Sequence, residues 1–169
     1  MESSTDQQPK RPTGMTILLV LSLINAIYNI FQSLILYISA PTMIRMQESG
    51  ELDSMMEPFF QMMNSEMVTA MKDGMAAMLS IDRIYYLIMG VLFIASLIGV
   101  LKMFKWDKTG LHIYSIAQIC MLINSSVFQY PKMPTSPFLS DAMLTALFIL
   151  VYYLYFKRFS LENNGKETE

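Results

Sequence analysis

The sequence predicts an all-α integral membrane protein, with four transmembrane helices and one extracytoplasmic amphipathic helix, on three observations. Four long stretches contain no Asp, Glu, Lys or Arg; the basic residues collect on alternate connections between those stretches; and the longest connection has an apolar residue at every third or fourth position. Crossing roughly 30 Å of hydrocarbon takes roughly 20 apolar residues in helical conformation. The composition agrees: 53% of the residues are apolar and 15% charged, against roughly 25% charged in a soluble domain.

The uncharged stretches are Met15 to Ala40, Ile84 to Leu101, Leu111 to Phe128 and Ala142 to Phe156, the last with Phe138 and Leu139 leading in. They predict transmembrane helices over residues 15–40, 83–102, 110–128 and 139–157. The first is much longer than the roughly 7–15 apolar residues of a signal peptide, and Ile38-Ser39-Ala40-Pro41 is a poor cleavage site, so it is expected to be retained.

Short loops rich in Lys and Arg stay in the cytoplasm. Lys10, Arg11, Lys102, Lys105, Lys108, Lys157 and Arg158 fall on one side. The other side carries Arg45, Lys72, Arg83 and Lys132 among eight acidic residues: Glu48, Glu51, Asp53, Glu57, Glu66, Asp73, Asp82 and Asp141. Both termini are therefore expected in the cytoplasm. Tyr85 and Tyr86 would mark the outer interface, and Trp106, Tyr152, Tyr153 and Tyr155 the inner one, as aromatic belts.

Residues 1–14 and 158–169 read as polar cytoplasmic tails, disordered for want of apolar surface to bury. Residues 103–109 read as a cytoplasmic basic turn. Residues 129–138 form an extracytoplasmic loop, which Pro131, Pro134 and Pro137 should stiffen. Asp141 is suited to cap the start of the fourth span.

The extracytoplasmic segment 41–82 is too long to be left without structure. Ser54-Met55-Met56-Glu57 has the form of a capping box. From there Met56, Phe60, Met63, Met67, Ala70, Met71, Gly74 and Met78 keep to one face, which predicts a single amphipathic helix over 54–80. Its polar face is slightly acidic, so anionic lipid is a poor partner for it. The bundle itself, a second copy or another membrane protein is a better one.

Ten of the seventeen methionines fall in this segment. Thioethers are soft ligands that favour Cu(I), and Met63, Met67, Met71 and Met75 at four-residue spacing would stack their sulfurs on one face. Flexible apolar packing accounts for the same spacing, and no His accompanies the group. No metal or other cofactor is assigned.

Inside the first span Ser22, Asn25, Asn29 and Gln32 step by three, four and three, a polar seam directed at one neighbour. Tyr114, Ser115, Gln118 and Ser125 on the third span are expected to answer it, because an amide left unpaired in hydrocarbon costs several kcal/mol. Interhelical hydrogen bonding explains the seam, and so does a polar pathway or solute pocket.

Other chemistry is weakly supplied. The lone Cys120 has no partner within the chain, which excludes an internal disulfide and a C-x-x-C site. His112 is the single histidine, and no nucleophile stands at a spacing that would pair with it. The basic residues are too scattered for nucleic acid. A four-span plan with a large first outer segment is similar in outline to claudin-like proteins, but their outer Trp and Cys signature is missing here. The expected function is non-enzymatic: an accessory or interaction component of a membrane assembly, working through its Met-rich helix as homo-oligomer or with a membrane-protein partner. A soft-metal or small-solute transport component is the alternative.

Overall fold

The computed structural model describes residues 12–132 and 138–166, the second stretch with side chains as far as Arg158. These residues form six α-helices and no strand: α1 (Thr13–Glu48), α2 (Glu51–Phe60), α3 (Ser65–Leu79), α4 (Arg83–Phe104), α5 (Lys108–Phe128) and α6 (Phe138–Lys166). Four of them, α1, α4, α5 and α6, are long and apolar enough to cross a membrane. At most about a third of each apolar window is buried inside the molecule, and in α6 almost none is. Ile17, Ile24, Phe31 and Ile38 of α1, with Ile116, Ile123, Leu147 and Leu154 elsewhere, are all about half exposed or more. Such an outward apolar surface far exceeds what a water-soluble monomer shows, and it suggests a multi-pass membrane protein.

The long helices run up, down, up and down. One end, here the basic end, carries Lys102, Lys105, Lys108, Lys157 and Arg158; the other receives α2 and α3. α4 lies centrally, packed on α1 and on α5, while α6 rests on α5. The tightest packing is at the basic end, where Met15, Leu19, Val100, Met103, Tyr114, Tyr152 and Phe156 form a core almost wholly closed to solvent.

Backbone contact sets the α4–α5 spacing. A Cβ on Gly99 would stand 2.7 Å from the Tyr114 amide nitrogen and 2.9 Å from the Gly110 carbonyl oxygen, and one on Gly110 would stand 2.6 Å from the Gly99 oxygen. Small residues are what allow helices in lipid to approach this closely. The hairpin joining α4 to α5 is correspondingly short. Trp106 adopts φ 61°, a conformation normally left to glycine. Its amide donates to the Met103 carbonyl at 3.1 Å and that of Asp107 to the Lys102 carbonyl at 3.1 Å, the hydrogen-bond pair of a Schellman turn. The Trp106 ring meets Phe156 edge-on at 5.8 Å, which holds the strained residue in place. Asp107 then caps α5, accepting from the Thr109 amide at 2.8 Å, and pairs with Lys102 Nζ at 3.1 Å. The Thr109 hydrogen bonds first, and the Lys102 ammonium after them, hold its carboxyl below the ordinary aspartate range.

Several boundaries differ from those read in the sequence. α1 continues through Pro41 to Glu48, because α2 and α3 pack against the extension and offset the cost of an interior proline. The single helix expected over 54–80 is two helices. α1 ends at Glu48 with Ser49 as its cap, and Gly50, at φ 73°, caps α2 at Glu51, so Ser54 lies inside the helix and donates to the Glu51 carbonyl. The chain breaks at residues 61–64, where Asn64 accepts from the Met67 amide at 2.8 Å and caps α3. α3 is also separate from α4, which Asp82 caps through the Ile84 amide. At the other end of the chain, α6 begins at Phe138, which places Asp141 in its first turn and not at its cap, and it extends to Lys166 through residues expected as a disordered tail. The N-terminal tail as far as residue 11, and Pro134 and Pro137, lie outside the described residues.

Substitution at the α4–α5 contact tests this packing. Gly99→Ala is expected to lower stability by about 1–3 kcal/mol through overpacking. Gly74→Ala, on α3 with nothing within 4 Å of the added carbon, should be neutral or stabilising by about 0.5–1 kcal/mol. Thermal unfolding of both variants in detergent reads the contrast, and equal effects would refute the assignment of Gly99 as the spacer.

Candidate functional site

α6 has buried side chains only toward the basic end, and in the other half, where Phe138 meets Tyr130 at 5.6 Å, a gap opens between α1 and α6. Tyr152 and Phe156 are buried, but no described side chain of α6 before Tyr152 is. The gap is a cavity of about 510 Å³. α1 contributes Ser22, Asn25 and Asn29; α5 contributes Tyr114, Gln118 and Ser125, with Gln129 just beyond its end; Thr145 and Phe148 come from α6 and Tyr85 from α4. Asp141 lies at the rim near Phe138.

The floor is the basic-end core. Ser22 Oγ and the Tyr152 hydroxyl are hydrogen-bonded at 2.8 Å, the polar tie between α1 and α6, and the Tyr114 and Tyr152 rings meet edge-on at 5.4 Å beside it. Below them Leu19, Val100 and Met103 are fully buried, so the cavity is closed in that direction.

Near the opposite end the Tyr85 hydroxyl donates to Gln129 Oε1 at 3.0 Å and lies 3.4 Å from Ser125 Oγ. A second cavity of about 380 Å³ shares Asn29, Tyr85, Met89, Phe93 and Gln129 with the first and extends to Gln32 and to Gly74 and Met78 of α3. Tyr86 donates to the Met78 carbonyl at 2.9 Å and Arg83 stacks on Tyr37 at 4.6 Å, which fixes the end of α3 over this space.

The polar seam read in the sequence is thus placed against space. Ser22, Asn25, Asn29 and Gln118 meet at the larger cavity, and Gln32 lines the smaller one. The expected pairing between the seam and the third span forms at Ser22, which hydrogen-bonds Tyr114, but not at the amides. α4 stands between them at the level of Gln118, whose amide is directed to Ser96 of α4 at 3.3 Å, while Asn29 donates to Asn25 of its own helix at 2.9 Å. Ser115 faces a different groove, with His112 and Tyr153.

The tyrosines expected as interfacial belts behave differently. Tyr85, Tyr86 and Tyr152 are buried and hydrogen-bonded, whereas Tyr153 is exposed. Of the four methionines expected on one helix face, Met67, Met71 and Met75 are on α3, and Met63 falls in the break before it. Among the described residues no three His, Cys, Asp or Glu side chains gather as metal ligands.

Sequence reasoning missed Thr145, Phe148, Gln129 and Tyr152 as parts of this site. Thr145 carried a usable signal, since it is the one hydroxyl among the apolar residues between Asp141 and Tyr152. No protein-family model matches the chain, and comparison with curated proteins and with solved structures finds no significant match.

The Ser22–Tyr152 contact is expected to act as a unit. Ser22→Ala and Tyr152→Phe should each destabilise by about 0.5–2 kcal/mol, and the double variant by clearly less than the sum. Strict additivity in a thermal-unfolding double-mutant cycle would remove the contact from the account of how α6 is held.

Proposed function

We propose that this chain is a multi-pass membrane protein, with both termini cytoplasmic, that binds a small polar or amphiphilic molecule in a water-accessible cavity facing the extracytoplasmic side. The observation that carries this reading is the convergence of Asn25, Asn29, Gln118, Ser125 and Thr145 on one space inside an otherwise apolar bundle. Binding sites in helical membrane proteins are of this kind: concave, largely apolar, with a few polar groups that orient the ligand. The orientation rests on the segregation of Lys and Arg, and on it the closed floor of the cavity faces the cytoplasm. A sealed floor suits a component that captures or presents its ligand without chemistry of its own, and passage across the membrane would require that floor to open.

Cysteine accessibility tests this. In a Cys120→Ser background, Thr145→Cys and Asn29→Cys should react with a membrane-impermeant thiol reagent added outside the cell, and Val100→Cys in the floor should not. Equal protection of all three positions would mean a dry cavity and would end the proposal; reaction from the cytoplasmic side alone would invert the topology.

A second reading is favoured by a separate observation. Met55, Phe59 and Met62 follow one face of α2 into the break, and with Met67 all are about half exposed or more; Met62 is 87% exposed. This face lies on the segment expected to contact another membrane protein or a second copy, and exposed methionine suits an adaptable contact surface. Met55→Lys with Phe59→Lys should leave the fold intact and abolish any oligomer or co-purifying partner, as read by size-exclusion chromatography with light scattering. Unchanged assembly would count against it.

A further inference from the structure

We infer that the ligand of this cavity is an amphiphilic monocation, an ammonium or similar charge on an apolar body, held with its charge toward Asp141. The inference deepens the binding function proposed above and rests on it.

Three features of the cavity point the same way. The first is its charge. Among the described lining residues Asp141 is the one Asp, Glu, Lys or Arg, and among the described residues no ion pair or hydrogen bond involves its carboxylate. The nearest helix end provides only partial compensation, since Asp141 stands in the first turn of α6.

The second feature is the wall. Tyr85, Phe93, Tyr114, Phe138 and Phe148 supply five aromatic rings around one space. Ring faces attract cations, with a strength of about 0.5–2 kcal/mol per contact that rises as water is excluded. Met89, Met121 and Leu144 complete an apolar lining suited to a hydrocarbon body. The amides and hydroxyls offer carbonyl and hydroxyl oxygens to a cation without fixing a negative charge of their own.

The third is the setting. The five basic residues of the basic end lie beyond the closed core, so none of them can contact a ligand in the cavity. Around the open end Arg83 is engaged over Tyr37 and Lys72 is paired with Asp53 at 3.1 Å, Arg45 and the exposed Lys132 are outside the described lining, and the acidic residues of the Met-rich end outnumber the basic ones. An anion would meet a carboxylate at the rim and no cation inside. A neutral molecule would fit the walls but make no use of Asp141.

Three probes of similar bulk separate these cases: tetraphenylphosphonium, tetraphenylborate and triphenylphosphine oxide, which are cationic, anionic and neutral. Binding is measured by equilibrium dialysis to the full chain in nanodiscs of neutral phosphatidylcholine, with empty discs subtracted. The cation is expected to bind roughly tenfold more tightly than the neutral probe, and the anion not at all. Asp141→Asn should remove that advantage and leave neutral binding unchanged, Asp141→Glu should restore it, and Thr145→Trp should abolish binding of every probe by filling the space. Equal binding of cation and neutral probe, or a cation preference that survives Asp141→Asn, would overturn the charge assignment while leaving the cavity as a binding site. Binding of all probes unaffected by Thr145→Trp would overturn the cavity itself, and so would the absence of binding by any probe.

Discussion

The placement of α6 turns on the side chain of Tyr152. It is fully buried, it hydrogen-bonds Ser22 of α1 through its hydroxyl, and its ring packs edge-on against Tyr114 of α5. No other described residue of α6 reaches both neighbours in this way, and Phe156 one turn below adds its contact with Trp106. A helix held at one end diverges at the other unless something fills the space between. Here Phe138 meets Tyr130 at 5.6 Å beyond the end of α5, but among the described residues no side chain fills the space toward α1, and the cavity is the result. Its polar lining follows from the same geometry, because Asn25 and Asn29 lie one and two turns above Ser22 on the face that α6 leaves uncovered.

The other half of the molecule is organised by the length of α1. Its 36 residues span about 54 Å, well beyond the roughly 30 Å of a bilayer core. The surplus turns provide a post on which α2 and α3 fold back, tied to each other by Lys72, which pairs with Asp53 and lies over the Phe60 ring at 5.0 Å. α3 then descends toward the bundle, and its end is fixed by Tyr86 and packed among Ile81, Leu36 and Tyr37. Interior Pro41 deprives α1 of one hydrogen bond, but burial of Ala40 and the packing of α2 nearby keep the helix continuous. The roof over the smaller cavity is therefore part of the fold and not a loose connection.

How much of this the sequence disclosed depends on what each feature is decided by. The four long helices were legible because length and the absence of charge are properties of a segment alone. The break between α2 and α3 was not. Two capping signals compete there, Ser54 with Glu57 and Asn64 with the Met67 amide, and the apolar period runs across both, so local pattern cannot rank them. The choice is made by contacts of α2 and α3 with α1. The tyrosines failed for a related reason. Tyrosine near a helix end reads the same whether it faces lipid or a neighbouring helix, and only the position of Gln129, Met78 and Ser22 turns Tyr85, Tyr86 and Tyr152 inward.

The seam on α1 is the most instructive case, since its residues were recognised and Tyr114 does meet Ser22, but the partners of its amides were not foreseen. The expectation that polar groups must be satisfied across a helix pair assumes that the two polar faces meet. Gln118 instead turns to Ser96 on α4, the helix packed between, and Asn29 satisfies part of its need within α1. What remains are amide groups with unused hydrogen-bonding capacity around a space large enough for water or a ligand. Asn25 and Asn29 are open to that space and no buried side-chain polar atom among the described residues lacks a partner, so water in the cavity would suffice to satisfy them. The same polar lining is what the proposed binding function rests on, and the closed core below Ser22 confines the cavity to that half.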